Sequence, residues 1–321
     1  FVLIALILAA PLHRRARSLF SFRKIDDHPL YVMHLYGDYD LDEYLEDGLQ
    51  ARGQTSAVTQ MADAPWACTV FAALNQEGEP LLGRNFDWFN RPTLLLFTHP
   101  PDGYASVSLV DLSYLGFDTE PPSWRERLRL FDAPYWTFDG MNEKGLAVGM
   151  MAVPQADTLN DPRRVTIGSL DAIRLLLDQA RTVDEAIALL GAYNIDWEGG
   201  PPLHYLIADA AGHSAVVEFV EGEMQVLPNE EPWQVATNFL LTGLSPERAK
   251  RSCRRYATAH ETLERAEGSL PPAEAMDLLE DVSQDITMWS VVYGMTGGDI
   301  RVSVGRDFED VHQFRLPMDD S

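Results

Sequence analysis

From residue 68 onward, apolar side chains recur at alternate positions in short runs separated by turn residues, the pattern of half-buried strands. Cys68–Leu74 (CTVFAAL) is one such run. Glu77–Glu79 (EGE) makes a turn, and Pro80–Trp88 (PLLGRNFDW) reads as the strand that returns beside the first. Further strands are predicted at Thr93–Thr98, Ala105–Asp111, Gly145–Val153, Tyr205–Ala208, Ser214–Phe219, Glu223–Leu227, Trp289–Tyr293 and Ile300–Val304. Between them the spacing changes to three and four. Ser169–Arg181 places Ile173, Leu176 and Leu177 on one face, and a second helix opens with a Thr182–Glu185 capping box. Pro246–Ala266, with a basic face, and Pro272–Asp285 are two more helices. Strands at both ends with helices between them predict α+β layers rather than alternating βαβ units.

Ahead of residue 68 the pattern is different. Phe1–Leu12 (FVLIALILAAPL) is almost wholly apolar, and residues 1–24 contain five Arg or Lys and no acid. The run is too short to span a bilayer, for which about 20 residues are needed. It reads as a truncated signal or membrane-anchor segment. Residues 25–67 form an acidic lead-in. Within it, Gly37–Gly48 (GDYDLDEYLEDG) begins like a calcium loop, but Glu43 and Leu49 stand where glycine and glutamate are required. It is therefore expected to be a solvated, partly helical surface, followed by a linker at Ala51–Asp63. The expected organisation is leader 1–24, propeptide 25–67 and a catalytic domain 68–321.

Composition narrows the function by exclusion. The 321 residues are 46% hydrophobic, enough for a substantial core, and the formal charge is −24. Nucleic-acid binding is driven by clustered Lys and Arg, so no nucleic-acid partner is expected. Two cysteines, Cys68 and Cys253, make no disulfide framework. The sequence lacks HExxH, CxxC, GxxxxGK, GxGxxG and GxSxG patterns. Neither a metal nor a cofactor is predicted.

What stays concentrated is Cys68 and the segment after it. The hairpin would bring Arg84 and Asp87 near the thiol. A guanidinium favours the thiolate, and a carboxylate can orient the arginine or hold an ammonium group. Spacing alone leaves open a small core cysteine beside a structural salt bridge. Nothing in the spacing of His204 or His260 pairs either of them with Cys68. Trp66, Phe86, Trp88 and Trp136 suit an acyl pocket and a core equally well.

The segment resembles the opening of the N-terminal-nucleophile cysteine hydrolases, which include choloylglycine hydrolases, penicillin V acylases and acid ceramidase-like amidases. Those proteins begin with Cys-Thr and carry Gly-Arg-Asn-x-Asp at the same distance. The similarity runs on through FDGMNEKGLAVGMMAVP (Phe138–Pro154), PLHYLIADAAGHSAVVEF (Pro202–Phe219), QVATN (Gln234–Asn238), Arg255-Tyr256 and TMWSVVY (Thr287–Tyr293). It implies a four-layer αββα sandwich of two antiparallel sheets. It also implies that Cys68 is the nucleophile, Arg84 and Asp87 its polar neighbours, Asn238 the oxyanion residue and Arg255 the arginine completing the network. One position departs: Ala152 stands where bile salt hydrolases have Asn.

Such a nucleophile serves as its own base. A terminal α-amine has a reference pKa of about 7.7–8.0 and can take the thiol proton without a histidine. That demands a cut between Ala67 and Cys68, as in relatives with a long propeptide. The implied activity is hydrolysis of a linear amide, a small-molecule acyl amide being the partner. Acyl transfer to an amine and an inactive acyl-ligand-binding scaffold are the alternatives. The leader favours export or membrane attachment, while a chain with two cysteines fits the cytoplasm as well. Oligomeric state is not legible.

Overall fold

A computed structural model describes residues 13–50, 67–89, 91–118, 121–158 and 160–319. The leader run Phe1–Leu12, the linker Ala51–Asp63 and Trp66 lie outside them. A helix at residues 13–21 precedes strands β1 (Arg23–Lys24) and β2 (Leu30–Tyr36) and helix α1 (Leu41–Asp47). Strands β3 (Ala67–Leu74), β4 (Pro80–Asp87), β5 (Thr93–His99), β6 (Ser106–Asp111), β7 (Thr137–Asn142) and β8 (Ala147–Ala152) follow. A short β9 (Thr166–Gly168) leads into helices α2 (Ser169–Gln179) and α3 (Val183–Leu190), and β10 (Asn194–Asp196) returns beside β9. Then come β11 (Leu203–Ala208), β12 (Ser214–Val220), β13 (Glu223–Pro228) and β14 (Gln234–Ala236). Helices α4 (Pro246–Ser252), α5 (Arg254–Arg265) and α6 (Pro272–Asp281) lead to β15 (Thr287–Gly294), β16 (Asp299–Val304) and β17 (His312–Arg315).

The strands form two large sheets. One has the order β1-β2-β5-β6-β7-β8-β11-β12-β13, the other β14-β3-β4-β15-β16-β17. They meet face to face where β8 crosses β3. A Cβ at Gly149 would lie 3.0 Å from a Val70 methyl and 3.4 Å from Arg84 Cδ, so the missing side chain makes room for Arg84 between the sheets. Helix α2 covers the outside of the larger sheet, with Leu177 against Gly140 of β7. Helices α5 and α6 cover the outside of the smaller one: Tyr256, Ala259, Leu263 and Leu279 cluster with Phe71, Leu81 and Val292. The layers are therefore α, β, β, α, the expected sandwich.

Three details differ from expectation. Strand β2 runs parallel to β5, so the larger sheet is not wholly antiparallel. Gly37–Gly48 is also not simply a solvated surface: Tyr39, Leu41, Tyr44 and Leu45 are core, as are Leu30, Tyr31, Val32, Met33 and Leu35 ahead of it in the lead-in. Its tyrosines reach inward, Tyr39 Oη donating to Asp178 and Tyr44 Oη to Asp171 at 2.5 Å, both carboxylates on α2. Finally, the helix expected over Pro246–Ala266 is interrupted at Cys253, whose backbone is extended (φ −150°, ψ 126°). The capping box forms as read, with Thr182 Oγ1 accepting from the Glu185 amide at 3.2 Å.

Candidate active site

The β3–β4 hairpin is set by its turn. Asn75 Oδ1 accepts from the amides of Glu77 (2.9 Å) and Glu79 (2.8 Å), and Gly78 takes a positive φ of 81°. The register that follows pairs Cys68 with Phe86, Val70 with Arg84 and Ala67 with Asp87. Paired residues of antiparallel strands share a face, and faces alternate along each strand. Cys68 and Arg84 therefore both point between the sheets, while Asp87 projects from the opposite face toward the helices. The site straddles β3.

On the inner face Arg84 is a diagonal neighbour of Cys68 and reaches back to it, Nη2 lying 4.0 Å from Sγ. The guanidinium is completely buried. Nη1 donates to the Phe138 carbonyl and stands 3.2 Å from Asp139 Oδ2. Asp139 is in turn held by Trp289 Nε1 (2.9 Å) and Tyr293 Oη (2.6 Å) on β15. An irregularity in the β6–β7 pairing, where Val110 faces Thr137 and Leu109 faces Asp139, lets Phe138 present its carbonyl and Asp139 its carboxylate to the same arginine. Burial pushes the Cys68 thiol up; Arg84 opposes that rise and Asp87 adds to it.

On the outer face Arg255 takes over. The extended backbone at Cys253 restarts the helix with Arg254 exposed and Arg255 turned inward. Its Nη1 donates to the Cys68 carbonyl and to Thr69 Oγ1 (3.0 Å), and its Nη2 donates to Asn238 Oδ1 (2.9 Å). Asp87 Oδ2 is 3.8 Å from the same guanidinium, and Asp87 Oδ1 accepts from the Thr287 hydroxyl. Burial raises the Asp87 carboxyl to about 6, against the pull of Thr287, Arg255 and Arg84.

Asn238 lies just beyond β14 and closes the ring. Its Oδ1 accepts from the Cys68 backbone nitrogen at 2.6 Å, and its Nδ2 donates to the Ala152 carbonyl at 2.8 Å. Cys68, Arg84, Asp87, Asn238 and Arg255 thus form one connected cluster, although they come from three distant stretches of chain. Ala67 and Cys68 are joined in this structure, and the Cys68 nitrogen is an amide. Among the described residues no group of His, Cys, Asp and Glu side chains is arranged to hold a metal.

Sequence reasoning gave no role to Asp139, Thr69, Thr287 or the pair His204–Glu218. His204 is fully buried, with Nδ1 3.0 Å from Glu218 Oε1 and Nε2 2.7 Å from the Thr237 carbonyl oxygen. It makes no contact of that kind with Cys68. Asp139 lies inside the FDGMNEKGL run, but only the bulge and its β15 donors reveal its use. Phe86 and Trp88 are core, whereas Trp136 lines a cavity with Tyr114, Phe138, Trp197 and Leu203.

Comparison with known proteins shows what the chain resembles. The family model described as linear amide C–N hydrolases, choloylglycine hydrolase family, matches residues 128–239. That stretch holds Asp139, His204, Glu218 and Asn238. A curated relative, penicillin V acylase of Pectobacterium atrosepticum, is 26% identical over 57% of this chain and 52% of its own length, so the chain spans about half of it. Among solved structures, a mutant of conjugated bile acid hydrolase from Clostridium perfringens superposes with a TM-score of 0.58 at 15% identity, over 78% of this chain and 92% of that one. Penicillin V acylase from Agrobacterium tumefaciens gives 0.57 at 19% identity, over 78% and 86%. The N-acylethanolamine-hydrolyzing acid amidase ortholog of Caenorhabditis elegans gives 0.50 at 17% identity, over 78% and 100%. The fold is that of the N-terminal-nucleophile hydrolases, and in both sequence and fold the chain is similar to the linear amide C–N hydrolases of the choloylglycine hydrolase family.

Proposed function

We propose that the protein is an autoprocessing cysteine amidohydrolase that cleaves a linear amide through a thioester on Cys68. The observation that carries this reading is the position of Cys68. Its sulfur faces Arg84, its nitrogen faces Asn238 Oδ1, and its carbonyl is held by Arg255. A core cysteine requires none of these polar partners.

Maturation comes first. The Cys68 thiol adds to the Ala67 carbonyl and the peptide C–N bond breaks, which shifts the acyl group from nitrogen to sulfur. Water hydrolyses the thioester, leaving a carboxylate on Ala67 and a free amine on Cys68. The new amine, neutral when it acts, sits against Asn238 Oδ1, with the Asp87 carboxylate in the same cluster to stabilise the ammonium that forms when it takes up a proton. As general base, the amine then accepts the thiol proton while sulfur attacks the substrate carbonyl. Asn238 Nδ2 keeps a second N–H beyond the one given to Ala152, available to the developing oxyanion. The amine product leaves with the proton, and water releases the acid from the thioester.

Intact mass of the purified protein and turnover of a panel of N-acyl amides, for the parent and Cys68→Ala, test the reading together. The parent should appear as two fragments and hydrolyse a member of the panel. Cys68→Ala should stay whole and inert. An uncut chain that still hydrolyses amides would sink the proposal.

A further inference from the structure

Three of the four large hydrophobic side chains left exposed among the described residues lie in two segments, and those segments touch. Phe20 is 75% exposed, Trp124 54% and Leu128 57%. The Phe20 and Trp124 rings meet edge to face with centroids 5.4 Å apart. Arg127 ties the same segments together, its guanidinium 5.1 Å from both the Trp124 and the Phe22 rings. Arg15 lies 4.8 Å from the Phe131 ring. The result is one patch built from the helix at 13–21 and the segment 121–131.

The charge of this patch is opposite to that of the molecule. Residues 13–23 contribute Arg14, Arg15, Arg17 and Arg23 and no acid. Residues 121–131 (PPSWRERLRLF) contribute Arg125, Arg127 and Arg129 against Glu126, with Asp118, Glu120 and Asp132 flanking. The chain as a whole carries −24. All of these arginines except the half-buried Arg127 are exposed. A surface that sets Trp, Phe and Leu among arginines matches the interface of an anionic bilayer, where aromatic rings settle at headgroup depth and guanidinium groups meet phosphate.

We infer that the patch formed by Phe20, Trp124, Leu128 and the surrounding arginines is a docking surface for an anionic phospholipid membrane. It is separate from the Cys68 cluster and does not depend on the amide chemistry. Electrostatics brings the arginines to the headgroups, and the three apolar side chains then enter the interface. Attachment is therefore peripheral and salt-sensitive. The segment 121–131 continues through Trp136 into β7, so the docked face and the Arg84 contacts belong to one stretch of chain.

The test uses the full chain and sedimentation with vesicles of phosphatidylcholine, with or without phosphatidylglycerol. The parent should partition onto the anionic vesicles and be released by added salt. Phe20→Ser/Trp124→Ser/Leu128→Ser should partition at least about tenfold less, with the same thermal midpoint. Arg125→Gln/Arg129→Gln should lose the preference for phosphatidylglycerol. Three results would overturn the inference. The first is serine-variant binding equal to the parent's, which would assign the contact to residues 1–12. The second is indifference of the parent to lipid charge. The third is a lipid-free dimer of the parent that the serine variant abolishes, which would make the face an interface between copies.

Discussion

The Nε2 atom of His204 lies 2.7 Å from the carbonyl oxygen of Thr237, the residue immediately before Asn238. A carbonyl only accepts, so Nε2 carries the hydrogen of this bond. On its other side the ring meets Glu218, whose two oxygens also accept from the amides of Leu241 (2.7 Å) and Thr242 (2.8 Å). Burial pushes the Glu218 carboxyl up, but the bonds from His204, Thr242 and Leu241 outweigh it and hold the group below its ordinary range. The backbone on both sides of Asn238 is thereby fixed from β11 and β12.

His204→Gln and Glu218→Gln are therefore expected to lower kcat more than they raise KM, because they displace Asn238 without touching substrate. Breaking a buried pair of this kind also costs stability, about 3–5 kcal/mol when one partner is removed outright and less for an isosteric change. Steady-state kinetics beside thermal unfolding checks both. A loss confined to stability would show that the pair does not position the site.

Asn238→Ala removes the acceptor at the Cys68 nitrogen and an Nδ2 donor. A drop of about 10²–10³ in kcat is expected from loss of one oxyanion donor. Cleavage at Ala67–Cys68 should slow as well, because Asn238 Oδ1 already binds the nitrogen that becomes the leaving group. Mass spectrometry over a time course, paired with kinetics, separates the two effects.

Cutting the chain should not release the lead-in. Strand β2 pairs with β5 from Leu30–Thr93 to Tyr36–His99, and its core side chains are buried. The two fragments should co-elute under native conditions and separate only in denaturant. Tyr39→Phe and Tyr44→Phe remove hydroxyls bonded to buried carboxylates and should each weaken retention by roughly 1.5–3 kcal/mol, read as a lower urea midpoint.

Asp87 makes the uncut chain's stability depend on pH. Burial raises its carboxyl from 3.8 to about 6, so the folded state binds more protons than the unfolded one across that window. Stability contributed by the protonated form is fully present below about 4 and is lost as pH rises through about 6. Asp111, also raised to about 6, acts in the same direction. Asp87→Asn should flatten part of this slope in thermal midpoints measured between pH 4 and 7.

The hairpin that carries Cys68, Arg84 and Asp87 was legible because strand alternation and turn chemistry agree there over short range. Asn238 and Arg255 could be assigned only through resemblance, since no spacing rule brings residues so distant in the chain to one carbonyl. The break at Cys253 had no signal at all: no Gly or Pro marks it, and helical propensity runs through it. In the lead-in, the aspartates of Gly37–Gly48 suggested a wet surface. Leu30–Tyr36 and the inward-facing tyrosines override that reading, because tertiary burial rather than local polarity decides where such a segment sits.

The strand order of the two sheets has a consequence for solubility. A sheet edge is a row of unpaired amides and carbonyls that can recruit another chain. Here the outermost strands are two-residue β1, three-residue β14, four-residue β17 and the six-residue β13, which opens with Glu223 and closes with Pro228. None offers a long flat apolar ladder. Among the described residues, fifteen strands are thus kept in two sheets whose edges offer no long template for fibrous growth.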